Sequence, residues 1–411
     1  MVTERLSLEG HLLDEHTLVQ ALTLLERMGV QYDVRRFRVG GGSHEPSLIE
    51  LQLRTEDPPA MDRALEALRP YGAIYLEEDA RLAEADMDGV LPEDFYSTTN
   101  FSTLVRLDGQ WIPVEGPEMD VGIRCWQEDG RWRAAGAPMH WVRRGDRFVV
   151  GFAGVKVLPM DTERQDEEEF RFMSNEVSSE RPKSRMIAHC ADAIRHTKQE
   201  GKKVLLVGGP AIVHSGSAPV LAQLIRDGWI DVLFAGNALA AHDIEAAMMG
   251  TSLGVDLAGG RSVPHGHTHH LRAINRVRRL GGIAEAVRIG LIGTGVMHAC
   301  VTKPIPFVLA GSIRDDGPLP EVITDNVQAQ DAMRRLVPGV GVALMVATTL
   351  HSVATGNCLP ASVKTYCVDS DADTVIKLTD RGTHQAVGLV TDCEFFLKEL
   401  AAQLAGPPQV L

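Results

Sequence analysis

Apolar residues change their spacing along this chain, and the changes divide it into stretches of different texture. Within LVQALTLLERM, Leu18, Ala21, Leu22, Leu25 and Met28 recur at helical intervals, with Asp14 placed to cap the helix and Gly29 to stop it. Two strand-like runs follow, VQYDVRRFRV at 30–39 and SLIELQLR at 47–54, the second alternating apolar and polar positions. A proline-led helix, PPAMDRALEALRPYG, and the short run AIYL at 73–76 come next. This order predicts a ferredoxin-like α+β unit over residues 1–78.

Residues 79–160 predict a β-rich module. Trp111, Trp126, Trp132 and Trp141 fall there, among short alternating runs and turn residues such as GDRFVVGFAG. The stretch MDTERQDEEEF at 160–170 is acidic and lacks an apolar face, which predicts a linker, set at 161–182, or a solvated helix. From 183 to 411 short apolar runs alternate with helical segments. KVLLVGG (203–209) precedes SAPVLAQLIRDGW, and IDVLFAG (230–236) precedes NALAAHDIEAAMMG, while PFVLAGS, VGVALMVATT and VKTYCVD supply further strands. Continuous apolar strands between helices predict an α/β fold with a parallel sheet covered on both faces. Ligands of such sheets bind beyond the carboxyl ends of the strands.

The composition, with a formal charge of −14, disfavours a nucleic-acid partner, which would require basic stripes. The longest apolar run, GVALMVAT at 341–348, is short of a membrane span. The polar opening MVTERLSLEG predicts no secretory segment, and the six cysteines form no CxxC pair. A cytoplasmic protein with reduced thiols is the expectation.

Four strand ends carry polar cargo. VGGPAIVHSGSAP is rich in glycine and small hydroxyls, and FAGNALAAHD sets Asn237 at a strand end, as a plain helix cap or as a ligand contact. VATTLHSVATGNCLP brings Thr349, Leu350 and His351 to a third end. In FVLAGSIRDDGPLPEV, a buried run opens into Gly311, Ser312, Ile313, Arg314, Asp315 and Asp316. Arg314 suits a carboxylate or phosphate, and the two aspartates suit an ammonium or a ribose. The alternative is an internal Arg–Asp network that only shapes the loop. Asp369 ends a later strand, as a ribose contact or as part of a solvated turn.

Two tempting motifs point elsewhere. GTGVMH lacks the strand–turn–helix context of a dinucleotide fingerprint and reads as a turn between helices. HGHTHH (265–270) has no carboxylate or cysteine at a ligand-like spacing, so a helix start carrying titratable histidines is expected there rather than a metal site.

Taken together, FYSTTNFSTLVRLDGQW, EMD, GGPAIVHSGSAP, FAGNALAAHD, HHLRAIN, VLAGSIRDDGPLPEVITD and LTDRG resemble the LOR/SDH-domain family over essentially the whole chain. That family includes archaeal-type ornithine cyclodeaminases and the C-terminal part of cyanobacterial arginine dihydrolase/ornithine cyclodeaminase enzymes. The resemblance implies a Rossmann-like, deoxyhypusine-synthase-like NAD-binding domain at 183–411. It also implies NAD-dependent conversion of ornithine to proline and ammonia, by transient oxidation to an imine, cyclisation and return of the hydride. With no arginine-hydrolysing domain expected ahead of it, the substrate would be ornithine, and a homo-oligomer is the family-level expectation. Candidate cofactor contacts are then Asn237, Ala238, Asp256, Gly311, Ser312, Ile313, Arg314, Thr349, Leu350, His351 and Asp369. Candidate catalytic groups are Asp315, Asp316, His270 and Asp325, with no metal. An amino-acid dehydrogenase of the saccharopine or lysine type, and a regulator that binds NAD or an amino acid without turnover, stand as alternatives.

Overall fold

Strands buried on one face mark the first half of the fold, and strands buried on both faces mark the second. The computed structural model describes residues 2–10, 17–39, 47–68, 73–75, 78–158, 183–252, 254–256, 268–315, 317–380, 383 and 385–406. Asp14, the expected linker 161–182, the first three residues of HGHTHH and Asp316 lie outside the described residues. The chain divides into two units, Met1–Thr162 and Glu163–Leu411.

The first unit holds β1 (Val2–Gly10), β2 (Gln31–Arg38), β3 (Ser47–Thr55), β4 (Ala73–Tyr75), β5 (Arg81–Glu84), β6 (Thr103–Leu107) and β7 (Gln110–Glu115). It continues with β8 (Gly122–Glu128), β9 (Arg131–Ala137), β10 (Arg147–Val150) and β11 (Val155–Val157). These run in the order β2-β3-β1-β4-β11-β6-β7-β9-β8-β10-β5. With helices Thr17–Arg27 and Pro58–Leu68, the first four strands form a βαββαβ, ferredoxin-like arrangement. MVTERLSLEG, read only as polar from its sequence, supplies the strand β1 between β3 and β4. Its Leu6 and Leu8 alternate with polar residues and are wholly buried.

The second unit is built on β12 (Lys203–Gly208), β13 (Val232–Gly236), a small hairpin of β14 (Thr251–Ser252) and β15 (Val255–Asp256), β16 (Phe307–Ala310), β17 (Val322–Ile323), β18 (Val340–Val346), β19 (Lys364–Asp369) and β20 (Ala386–Val390). The main sheet runs β17-β16-β13-β12-β18-β19-β20 with every neighbouring pair parallel. Val204 and Leu206 of β12 enter one core, and Leu205 and Val207 enter the other. Val342, Leu344 and Val346 of β18 divide from Ala343 and Met345 in the same way. Both faces are covered by helices, so the strands read as unbroken apolar runs. The chain moves outward from β12 to β17, then returns to lay β18 beside β12. The topological switch therefore lies between β12 and β18, where ligands of open parallel sheets bind.

All six cysteines are free and buried, and burial pushes the thiols of Cys125, Cys300 and Cys367 up to about 12. Among the described residues no helix is long and apolar enough to cross a membrane.

GTGVMH joins helix Ile283–Arg288 to helix Val296–Thr302, as expected of a turn. Its cap comes from far away in sequence. The Asp243 carboxylate accepts the N–H groups of Val296 and Met297, each at 2.8 Å. Gly295 lies at φ 97°, and a β-carbon there would sit 2.6 and 2.7 Å from the Asp243 oxygens. Gly295→Ala therefore combines a disfavoured φ with a clash against a buried carboxylate. It should destabilise the protein by about 1–3 kcal/mol, measured by urea unfolding.

Burial pushes the Asp243 carboxyl from its ordinary 3.8 up to about 6, against the pull of the two backbone donors. A carboxyl with a raised folded-state pKa favours the fold while protonated. Its contribution is full below the unfolded value and is lost as pH rises through the folded one. Asp243→Asn, which does not ionise, should therefore gain on the wild type by up to about 3 kcal/mol between about pH 4 and pH 7. A stability difference that stays constant across those two pH values would refute this account.

Candidate functional site

The deepest constraint at the switch point is a backbone contact. A β-carbon on Gly209, just beyond β12, would lie 1.7 Å from the Ala347 carbonyl oxygen, so only glycine permits this approach. Gly209 N–H donates to the Val346 carbonyl at 2.9 Å, and Ala347 N–H to the Val368 carbonyl at 2.9 Å. Ala347 itself takes φ 54°, a left-handed conformation uncommon for alanine, and so turns the chain sharply off β18.

That turn delivers Thr348 and the helix Thr349–Cys358, whose first-turn N–H groups have no intrahelical acceptors. Such a helix start favours an anion. The half-buried His351 ring lies over the end of β13. Gly236 leaves room for it, since a β-carbon there would come within 2.9 Å of His351 Cε1. His351 Nδ1 stands 3.3 Å from Thr348 Oγ1. Burial pushes the His351 pKa down, and the charge of Asp315, on the loop beyond β16, opposes that shift.

The loop beyond β16 is shaped by its own polar groups. Ser312 N–H donates to Asp315 Oδ2 at 2.8 Å, Asp315 N–H to the Ser312 carbonyl at 3.1 Å, and Arg314 N–H to Ser312 Oγ at 3.2 Å. Gly311 is required by close approach, because a β-carbon would lie 3.0 Å from Thr324 Cα. Asp315 is thus a loop-forming acceptor. The Arg314 side chain is exposed and, among the described residues, makes no ion pair. Of the internal Arg–Asp network considered from sequence, no Arg314–Asp315 ion pair is present among the described residues, and Asp316 lies outside them. Ile313 is fully exposed and Leu350 is 76% exposed, which sets two apolar side chains in solvent, one on the loop beyond β16 and one on the helix that carries His351.

Asn237 is not a cap. It occupies the first turn of helix Asn237–Met249 behind Gly236, and its Oδ1 accepts the Leu319 N–H at 3.1 Å. It thereby ties this helix to the end of the 311–319 loop, with Ala238 beside it. Thr349 Oγ1 lies 2.9 Å from Thr374 Oγ1. Asp369 ends β19, where its carboxylate accepts the Asp371 N–H at 3.0 Å and closes a turn. Asp325 is exposed and caps helix Asn326–Leu336 through the N–H groups of Val327 and Gln328, at 2.9 and 3.0 Å. Asp256 ends the β14–β15 hairpin, which is a two-stranded sheet separate from the main one.

His270 is in the first turn of helix His269–Leu280, the helix start expected from HGHTHH. Its ring lies 5.9 Å from that of His242, which lies 4.9 Å from His214. The site thus separates into a crevice formed by residues 209, 236–237, 311–315, 347–351 and 369, and an imidazole group around His270. Sequence reading missed Gly209, Ala347 and His242. A doubled glycine after an apolar run was the available signal for the first, and the helical His242–Glu245 spacing for the last. Nothing in sequence marks Ala347 as left-handed.

Three family models match the chain. Residues 3–101 match the LOR/SDH bifunctional enzyme conserved region. Residues 102–187 match the first region of the arginine dihydrolase ArgZ-like C-terminal part, and 188–400 its Rossmann fold. An ornithine cyclodeaminase of Methanothermobacter thermautotrophicus is 47% identical over 405 residues, covering 98% of each chain. The apo crystal structure of ArgZ, a cyanobacterial arginine dihydrolase of the ornithine–ammonia cycle, superposes with a TM-score of 0.85 at 36% identity. It is covered over 98% of this chain and 58% of its own. A crystal structure of AgrE in ternary complex with ornithine and NAD+ gives a TM-score of 0.53 at 38% identity, covering 98% of this chain and 57% of the other. This chain therefore spans little more than half of the cyanobacterial proteins but nearly all of the archaeal one. Matched from residue 3 to residue 400 and nearly half identical to a full-length relative, the chain belongs to the LOR/SDH, ArgZ-like C-terminal family.

Proposed function

We propose that this protein converts L-ornithine to L-proline and ammonia, with NAD as a cofactor that is regenerated in each turnover. The observation that carries the reading is the 47% identity, across 98% of both chains, to an archaeal ornithine cyclodeaminase. The crevice at the switch point supports it, because its groups suit a dinucleotide. It offers an exposed guanidinium, a helix N-terminus for phosphate, and a strand-end carboxylate for a ribose.

When bound there, NAD supplies reversible acceptance of a hydride from the substrate's α-carbon. The chain's own residues do the rest. Arg314 and the N–H groups at Thr349, Leu350 and His351 hold phosphate or carboxylate oxygens. Asp369 takes a ribose hydroxyl. Ile313 and Leu350 offer exposed apolar surface beside the crevice. Asn237 and Ala238 keep the helix start and the 311–319 loop at a fixed distance. His351, its pKa pushed down by burial, lines the crevice with a neutral ring at the strand ends, while Asp315 and Asp316 offer negative charge to an ammonium. The reading extends to a cytoplasmic homo-oligomer that acts in proline formation on a small amino-acid substrate, with no nucleic-acid or membrane partner.

Purified protein incubated with ornithine and substoichiometric NAD+ should form proline and ammonia in equal amounts without accumulating NADH. NADH in proportion to product would instead indicate a dehydrogenase, and binding without product a regulator. Arg314→Ala should leave the thermal midpoint unchanged, because the side chain is exposed. It should weaken binding of NAD or ornithine by about 10- to 100-fold, the worth of one charge-assisted hydrogen bond, as read by calorimetry. Arg314→Lys should restore only part of the loss.

A further inference from the structure

Outside the crevice, four imidazoles gather around one carboxylate. Glu245 is wholly buried in helix Asn237–Met249. Its Oε1 accepts from Thr251 Oγ1 at 2.9 Å and from the Gly254 N–H at 3.1 Å, and its Oε2 pairs with His242 Nδ1 at 3.0 Å. These donors hold its carboxyl below the usual glutamate range although burial opposes them. The Thr251 hydroxyl has one hydrogen and gives it to Glu245. His269 Nδ1, 2.8 Å from the same oxygen, must therefore be the donor to it. His214 packs edge-to-face on His242 and is tied through Nδ1 to Ser252 Oγ at 2.7 Å, while His270 tilts against the other side of His242.

The cluster is assembled from separate segments: helix Ala211–His214, helix Asn237–Met249, the β14–β15 hairpin and the start of helix His269–Leu280. Burying a carboxylate among imidazoles gives less packing stability than apolar residues of the same volume, so core formation does not account for it. Among the described residues no group of three or more His, Cys, Asp or Glu is arranged to hold a metal. An ionised Glu245 that accepts from His242 Nδ1–H fixes the tautomer and leaves Nε2 as a proton acceptor. His242 lies five residues beyond Asn237 on the same helix, a rise of about 7.5 Å along its axis from the turn that holds the 311–319 loop.

We propose that His242 is the group that exchanges a proton with the substrate's nitrogen atoms, and that Glu245 is its positioning residue. This rests on the ornithine reading above. Ornithine carries two ammonium groups, and zwitterionic proline plus ammonium also carries two cationic nitrogens, so the conversion needs no net proton. Two ammonium N–H bonds nevertheless break on the way: the α-ammonium gives its proton to solvent, so that the nitrogen lone pair supports loss of hydride from its carbon, and proline's nitrogen regains one from solvent at the end. His242 Nε2 accepts the other proton as the δ-ammonium N–H bond breaks, which frees that amine's electron pair to attack carbon. The same proton then passes to the nitrogen that leaves as ammonia. The neighbouring imidazoles of His214, His269 and His270, with Glu245, are the titratable groups that face this exchange.

The test compares wild type, His242→Gln and Glu245→Gln, with NAD affinity and thermal midpoint measured on the same preparations. With NAD binding retained, His242→Gln should lower proline formation by about 10²–10⁴-fold, mainly in kcat. Glu245→Gln should lower kcat and move the acid limb of the pH profile while changing KM little. Active wild type with His242→Gln at wild-type rate overturns the proposal. Inactive wild type refutes the ornithine reading instead. ¹⁵N histidine spectra decide the geometry without any turnover. They should show His242 protonated at Nδ1 in the wild type and that preference lost in Glu245→Gln. A His242 that carries its proton on Nε2 in the wild type overturns the proposal even if the variants fail to fold.

Discussion

The approach of Gly209 to the Ala347 carbonyl is the contact on which the second unit's chemistry depends. Two central parallel strands end side by side, and their exits must diverge within a residue or two to open a crevice. A side chain at 209 would force those exits apart, and a relaxed backbone at 347 would send the next helix in another direction. One absent β-carbon and one left-handed alanine therefore set where the helix start at Thr349 points and where His351 rests. The hydrogen bonds from Gly209 to Val346 and from Ala347 to Val368 secure the arrangement, so the strain at Ala347 is held by ladder geometry on both sides.

Helix Asn237–Met249 links that crevice to the rest of the unit. Its first turn fastens the 311–319 loop through Asn237, and its next turns carry His242, Asp243 and Glu245, three polar positions within four residues. Asp243 reaches outward to cap another helix, while His242 and Glu245 pair along the same face. Such a helix does not show a simple apolar stripe, because it is buried nearly all round and its polar groups are satisfied inside the protein.

Much of this was legible in the sequence. Period-two runs and unbroken apolar runs identified β2, β3, β12, β13, β16, β18 and β19, since burial on one face or two leaves a direct mark on residue type. The short β17 and the modest run of β20 left a fainter mark, and β1 was hidden because Leu6 and Leu8 stand alone among charged neighbours. For the site, the rule that ligands lie at strand ends led to 237, 311–315, 349–351 and 369. It did not separate roles. Asp325 looked like a proton donor and is a helix cap, because a carboxylate ahead of a helix reads the same in either role. His242 and Glu245 were hidden for the opposite reason. Their meaning comes from Thr251, Gly254 and His214, which only the tertiary fold brings beside them.

The buried cysteines have a practical consequence. All six thiols are shielded, and those whose pKa is displaced are displaced upward, so none offers a reactive thiolate at neutral pH. The native chain is in effect silent toward maleimides and other thiol reagents. A single cysteine introduced at the fully exposed position 313 would then be the only addressable sulfur, and a fluorophore attached there would report directly on the loop beside His351 without removal of any native residue.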